Sequence, residues 1–139
     1  MPTIFPIIRF ADSEAGLAWL KDALGFEEHG VFRADDGSIQ HGELRLGDAW
    51  VMIGTESADG VARTAERTSS FGTGGEHRGS AFTYLAVEDA AAAFDRARAA
   101  GADLTSELES RDYGGRDFSL RDSEGNIWSV GEYDPSRAR

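Results

Sequence analysis

A weak internal repeat constrains the fold of this chain more than any other feature. In each half an apolar run leads to an acidic residue, then to a helix-like stretch, and then to a glycine. The first copy reads IFPIIRF, Asp12, EAGLAWLKDAL and Gly25, and the second reads SAFTYLAV, Asp89, AAAAFDRARAA and Gly101. An acidic residue caps the free N–H groups of a helix, and a glycine after a helix permits the left-handed C-terminal conformation. The sequence therefore predicts strand, cap, helix and stop twice over.

Each predicted helix is followed by three short segments in which apolar and polar residues alternate. They read HGVFRA, SIQHGELRL and AWVMIG in the first half, and ADLTSEL, RDFSLRD and NIWSVGEY in the second. Alternation with period two is typical of half-buried strands. We therefore predict an α+β fold with two βαβββ modules in one domain, residues 1–139. Module one covers about 3–54, a connecting loop about 55–79, and module two about 80–133.

Composition excludes several classes of protein. The chain has 139 residues, enough to bury one core, and no cysteine, so disulfides and thiolate metal sites are ruled out. The formal net charge of -11 opposes binding to nucleic acid or anionic membranes and favours cationic partners. The sequence shows no long apolar run and no signal peptide at its start. We expect a cytoplasmic protein.

Two segments resemble a known family. The stretches RFADSEAGLAWLKDALGF and RDFSLRDSEGNIWSVGEY, within paired βαβββ modules, are similar to the vicinal oxygen chelate superfamily, which contains glyoxalase I, dioxygenases and bleomycin-resistance proteins. The resemblance implies a curved mixed sheet that forms a concave cleft, with the helices on its outer face. It also implies a small-molecule ligand and a homodimer. Function does not follow from it, because this fold carries several reactions and also simple binding.

The resemblance further implies four positions on the concave face where metal-dependent relatives hold their ion. In this chain they are Phe5, Met52, Phe82 and Ser129, and a shift by one residue restores no His or Glu. Such ions need imidazole or carboxylate ligands, so we predict no metal and no cofactor. The histidines lie far apart in the sequence, at positions 29, 41 and 77. His41 and Glu43 share one strand face, and we interpret them as a polar pair, with a chelating pair or a general base at Glu43 as alternatives.

Strand alternation predicts which side chains line the cleft. Ile8, Phe10, Leu85 and Val87 should pack toward the helices, and Trp19 and Trp128 should be structural. The concave face then has an aromatic and apolar stripe with a few polar groups, which is the usual composition of a small-molecule site, although such residues also fill cores and dimer interfaces. The predicted ligand-binding residues are Phe5, Ile7, His41, Glu43, Trp50, Met52, Phe82, Tyr84, Ser129 and, at the rim, Tyr113 and Arg116.

Two functions are consistent with these residues. The first is a metal-independent binding protein of the bleomycin-resistance type, in which an acidic dimer holds a flat, cationic aromatic antibiotic. The second is a glyoxalase-like lyase or isomerase acting on a small molecule. The sequence leaves open which of the two applies.

Overall fold

The structure is a computed structural model that describes residues 3–55, 82–112 and 114–137. Helix α1 spans Ser13–Trp19 and continues as a π-helical turn, Leu20–Leu24, while helix α2 spans Ala90–Ala99. The side chain of Asp12 accepts a hydrogen bond from the backbone N–H of Ala15, and that of Asp89 accepts one from Ala92. Gly25 adopts φ 88° after the π-helical turn. The capping signals in the sequence are thus confirmed.

Nine strands are described. They are β1 (Ile7–Phe10), β2 (Glu27–Arg33), β3 (Ile39–Leu46), β4 (Ala49–Thr55), β5 (Phe82–Ala86), β6 (Asp103–Leu104), β7 (Glu109–Ser110), β8 (Arg116–Arg121) and β9 (Ile127–Gly131). The first sheet has the order β1-β4-β3-β2, and the second has β5-β9-β8-β6 with β7 also paired to β8. Strand β1 is parallel to β4, and β5 is parallel to β9. All other neighbouring strands are antiparallel. The predicted α+β class is confirmed.

One predicted strand is shorter than the sequence indicates. The segment ADLTSEL forms only the two-residue β6, because the backbone N–H groups of Thr105 and Ser106 both donate to the carbonyl of Ser119. The Ser106 hydroxyl in turn accepts from the N–H of Ser119 at 2.8 Å. The Ser106 hydroxyl thus takes the place of a backbone carbonyl as the acceptor for Ser119, and the strand ends here. Pairing with β8 resumes at β7.

The core lies between the sheets and the two helices. Phe10, Leu20, Phe118 and Trp128 are among its largest buried side chains. The helical layer joins the two halves of the chain, because the Arg96 guanidinium donates to the Lys21 carbonyl at 3.1 Å.

A second tie between the halves comes from the β8–β9 turn. The Glu124 carboxylate accepts from the backbone N–H groups of Ala11 and Asp12 at 2.8 and 2.7 Å, at the start of α1. The predicted connecting loop, 55–79, falls almost wholly outside the described residues. Among the helices that are described, none is long and apolar enough to cross a membrane.

Candidate functional site

The face of the first sheet that turns away from the helices carries exposed apolar side chains. Ile8 is buried, whereas its neighbour Ile7 is 61% exposed. On β4, Val51 and Ile53 are buried, and Trp50 and Met52 point the other way and are half-buried. The strand register places Met52 beside Ile7 and beside Glu43. The facing predicted from alternation is therefore correct for this sheet.

The second sheet repeats this arrangement of buried and exposed side chains. Phe82 and Tyr84 are 82% and 43% exposed, and Leu85, next along the strand, is buried. The register pairs Tyr84 with Ser129, whose hydroxyl lies 2.9 Å from that of Ser119. Trp128 and Val130, on the opposite side of β9, are buried. Both open faces thus combine apolar side chains with polar ones, since the first carries Glu43 beside Met52 and the second carries the hydroxyls of Ser119 and Ser129.

A cavity of about 280 Å³ lies between the segment that precedes β1, residues 3–6, the start of β4 and the middle of β5. Its lining therefore combines residues of the first sheet, through β4, with residues of the second, through β5. The cavity brings together Phe5, Trp50 and Tyr84 of the predicted site, and Phe26 and Trp128 from the core also line it. The other predicted residues, Ile7, His41, Glu43, Met52, Phe82, Arg116 and Ser129, lie outside its lining. We refer to this cavity as the slot.

Tyr84 is held in place at the slot by its hydroxyl. That hydroxyl donates to the Tyr133 carbonyl at 2.7 Å. The ring needs the absence of a side chain at Gly131, because a Cβ there would lie 2.7 Å from the Tyr84 oxygen and from Asp117 Cβ. A fixed aromatic ring is suited to stacking against a ligand, since little conformational freedom is lost on binding.

Trp50 has two polar neighbours that the sequence does not predict. The His29 ring meets it edge-on with the ring centroids 4.9 Å apart, and the Arg45 guanidinium lies 5.9 Å from the Trp50 centroid. His29 reaches Trp50 because the β2–β3 register shifts between Glu28 and Gly30. A β-bulge of this kind leaves one residue without a partner and redirects its side chain. The alternation of apolar and polar residues in the sequence does not predict this bulge.

His41 and Glu43 form the polar pair that the sequence suggested. His41 Nε2 lies 3.0 Å from Glu43 Oε2, and the two side chains are 42% and 34% exposed. Phe32 on β2 lies alongside His41, with ring centroids 6.1 Å apart and planes 25° from parallel. Phe32, which is 59% exposed, was missed as a site residue because β2 lacks a clear alternation.

Arg116 is engaged in an ion pair at the far end of the second sheet. Its Nη2 lies 2.7 Å from Glu132 Oε2, and Asp89 lies 3.9 Å away. The hydrogen bond from Arg116, together with one from the backbone N–H of Ala90, lowers the pKa of Glu132 to about 2. The ion pair with Glu132 therefore gives Arg116 a structural role. Tyr113, the other residue predicted at the rim, lies outside the described residues. An open cavity of about 550 Å³ lies beside Glu132 and Tyr133.

The four positions that the resemblance implies for a metal do not suit one. Two are the exposed aromatic rings of Phe5 and Phe82, one is the Met52 thioether, and the Ser129 hydroxyl is bonded to Ser119. These groups are not ligands for the ions in question, which require imidazole or carboxylate. Within the described part of the chain, no three His, Asp or Glu side chains come close enough to hold a metal ion.

The sequence matches the model of the glyoxalase/bleomycin resistance protein/dioxygenase superfamily over residues 4–130. The chain belongs to this superfamily. An uncharacterized protein of Mycobacterium bovis, Mb0911c, is 27% identical over 132 residues, which are 94% of this chain and 83% of that protein.

Two solved structures have the same fold as this chain. TioX from Micromonospora sp. ML1 has a TM-score of 0.71 at 23% identity, covering 95% of this chain and 100% of TioX. The fosfomycin resistance protein FosX from Mesorhizobium loti has a TM-score of 0.62 at 15% identity, covering 97% of this chain and 94% of FosX. At these identities the likeness concerns the fold alone, and the site has to be argued from this chain's own residues.

Proposed function

We propose that this superfamily member binds a small, planar aromatic molecule in the cytoplasm without a metal ion. The observation that carries the proposal is the slot, which is lined by Trp50 of the first sheet, Tyr84 of the second, and Phe5 from the segment before β1. Aromatic walls with a few polar groups are typical of small-molecule sites. Phe82 and Phe32 are two further exposed rings, one on an edge strand of each sheet. The net charge of -11 supports a cationic aromatic ligand through long-range attraction.

We also propose that the working form is a homodimer. The helices and Glu124 join the two halves of the chain on their helical side, while the opposite sheet faces leave Ile7 and Phe82 61% and 82% exposed. Large exposed apolar patches are a usual mark of an interface. In light scattering we expect a dimer of this 15.0 kDa chain, and a monomer for Phe82→Glu. A stable monomer of the unaltered protein would contradict the proposal.

Binding is tested by a thermal-shift screen of planar aromatic compounds, cationic and neutral. A ligand at about 100 times its Kd should stabilise the fold by about 2.7 kcal/mol. Because FosX is named as a fosfomycin resistance protein, antibiotics belong in the screen, and a resistance role would require a hit among them. A hit whose binding is unaffected by Trp50→Ala would count against the slot as its site.

Metal independence is tested separately by elemental analysis of protein purified without chelators. We expect less than stoichiometric Zn, Ni, Mn and Fe, and no change in ligand binding when chelator is added. About one such ion per chain would overturn this part of the proposal.

A second candidate function is a lyase or isomerase of the glyoxalase type. One observation favours it: the hydrogen-bonded pair of His41 and Glu43 stands on the same sheet face as Met52 and Ile7. A base beside a bound ligand is what proton-transfer chemistry needs. Turnover of a screened ligand that is lost in Glu43→Gln, with binding retained, would select this candidate over simple binding.

A further inference from the structure

The hydrogen bond between His41 and Glu43 determines which ring nitrogen can act as a base. An ionised carboxylate only accepts hydrogen bonds, so the bonded Nε2 must carry the proton. The lone pair then lies on Nδ1, to which no other described residue donates. Glu43 thereby orients the ring. The pair is thus arranged to take up one proton at Nδ1.

The surroundings of this pair are suited to an aromatic ring. The register places Glu43 opposite Met52 on one side and opposite Gly30, which has no side chain, on the other. Phe32 lies alongside His41. A flat ligand on this face would therefore contact Met52 and Phe32 while one edge of its ring approached His41.

We propose that His41, positioned by Glu43, accepts a proton from a phenolic hydroxyl of the ligand, so that the site binds such compounds as phenolates. The inference rests on the proposed function and specifies the ligand class; the ligand would lie on the open face of the first sheet, which shares Trp50 with the slot. In the step the phenol O–H bond breaks, an N–H bond forms at Nδ1 of His41, and the electron pair stays on the phenol oxygen. The total charge is unchanged, and the imidazolium that forms lies between the Glu43 carboxylate and the phenolate.

Other charged groups share this sheet face. They are Arg9 on β1, Glu27 and His29 on β2, and Arg45 on β3. The only ion pair that His41 makes with a described residue is with Glu43. The arginines favour a bound phenolate and Glu27 opposes it, so the contribution of His41 has to be isolated by substitution.

The experiment uses p-nitrophenol, whose phenolate absorbs visible light, and its methyl ether p-nitroanisole, which has the same ring and no acidic proton. The absorbance of protein-bound p-nitrophenol is followed as a function of pH. For the unaltered protein we expect ionisation to shift by about one pH unit to lower pH relative to the free probe. His41→Gln should abolish the shift and Glu43→Gln should reduce it, and titration of each variant with p-nitroanisole measures any loss of affinity that does not involve the proton. Thermal melts check that both variants are folded.

The controls separate two kinds of failure. If p-nitroanisole binds but the ionisation of p-nitrophenol is unshifted, or is shifted equally in His41→Gln, the proton-acceptor proposal is wrong and the binding function stands. If neither probe binds the unaltered protein, and the wider thermal-shift screen also gives no hit, both proposals fall together. If other aromatic compounds bind and these two do not, only the phenol class is wrong.

Discussion

Trp50 lies on the open face of the first sheet, and Trp128 lies on the helix side of the second. Truncating Trp128 should therefore mainly destabilise the fold, whereas truncating Trp50 should mainly weaken ligand binding. Trp128 is 1% exposed, packs against Trp19 with ring centroids 5.7 Å apart, and its indole N–H lies 3.3 Å from Asp122 Oδ2. Truncation of such a residue costs about 3–5 kcal/mol, mostly through the cavity it leaves. For a chain of this length that corresponds to roughly 10–20 °C in Tm.

Trp50→Ala is the matched variant. Trp50 is half-buried and its described ring neighbours, His29 and Arg45, are themselves able to reach water. We expect a stability loss of about 1 kcal/mol or less, within the range of ordinary surface changes. Ligand affinity should fall about tenfold through the lost stacking contact.

The assay is urea denaturation followed by tyrosine fluorescence and circular dichroism, together with ligand titration of the folded variants. Circular dichroism is needed because each substitution removes a fluorescent tryptophan. If Trp50→Ala lowers stability as much as Trp128→Ala while leaving affinity intact, the assignment of the two sheet faces is refuted.

Three further predictions concern contacts that no local sequence pattern shows. Because the pKa of Glu132 is lowered from 4.5 to about 2, its stabilising effect is complete above about 4.5 and is lost as pH falls through about 2. Glu132→Gln should therefore be less stable than the unaltered protein at neutral pH, and urea melts should show this difference shrinking toward pH 2. Glu124→Ala should cost about 1 kcal/mol in the same melts, since two N–H groups at the start of α1 lose their acceptor, while Glu107→Ala, an exposed control, should cost nothing measurable. Gly131→Ala should displace the Tyr84 ring and lower the affinity for aromatic ligands in titrations. The overpacking should also lower the free energy of unfolding by about 1–3 kcal/mol.

Each of these has a clear contrary result. A Glu132→Gln difference that stays constant across the acid range would mean that the ion pair with Arg116 does not depress the carboxyl pKa. Equal stability of Glu124→Ala and Glu107→Ala would mean that the carboxylate adds nothing to the helix start. Unchanged ligand affinity in Gly131→Ala would mean that the Tyr84 ring does not contribute to ligand binding in the slot.

The parts of the fold that could be predicted from the sequence are those set by near neighbours. Asp12 and Asp89 cap their helices through residues three positions away, and Gly25 ends its helix by its own conformational freedom. Alternation likewise places Ile8 and Val51 inward, because a strand turns every second side chain to the same face. These signals are local and therefore readable in one sequence.

The features that sequence reasoning missed depend on distant residues. The Glu124 carboxylate reaches Ala11 and Asp12 across more than a hundred positions of the chain. The slot is lined by residues 3–6, by β4 of one sheet and by β5 of the other, and the order of strands along the sequence does not specify that these segments come together. His29 contacts Trp50 only because of the bulge in β2. Pairing between segments and irregularities of register decide these contacts, and neither has a periodic signature.

The charge of the site also differs from the charge of the chain. The net charge is -11, yet the open face of the first sheet carries Arg9 and Arg45, neither of which forms an ion pair with another residue in the described ranges. The attraction between a distant ligand and the net charge is screened by salt beyond about 8 Å at physiological ionic strength. Charges in direct contact at the face are hardly screened. Overall acidity therefore governs how a ligand approaches, and the arginines and His41 govern what it must offer once bound. A ligand with a cationic group at one end and an acidic hydroxyl on its ring would satisfy both.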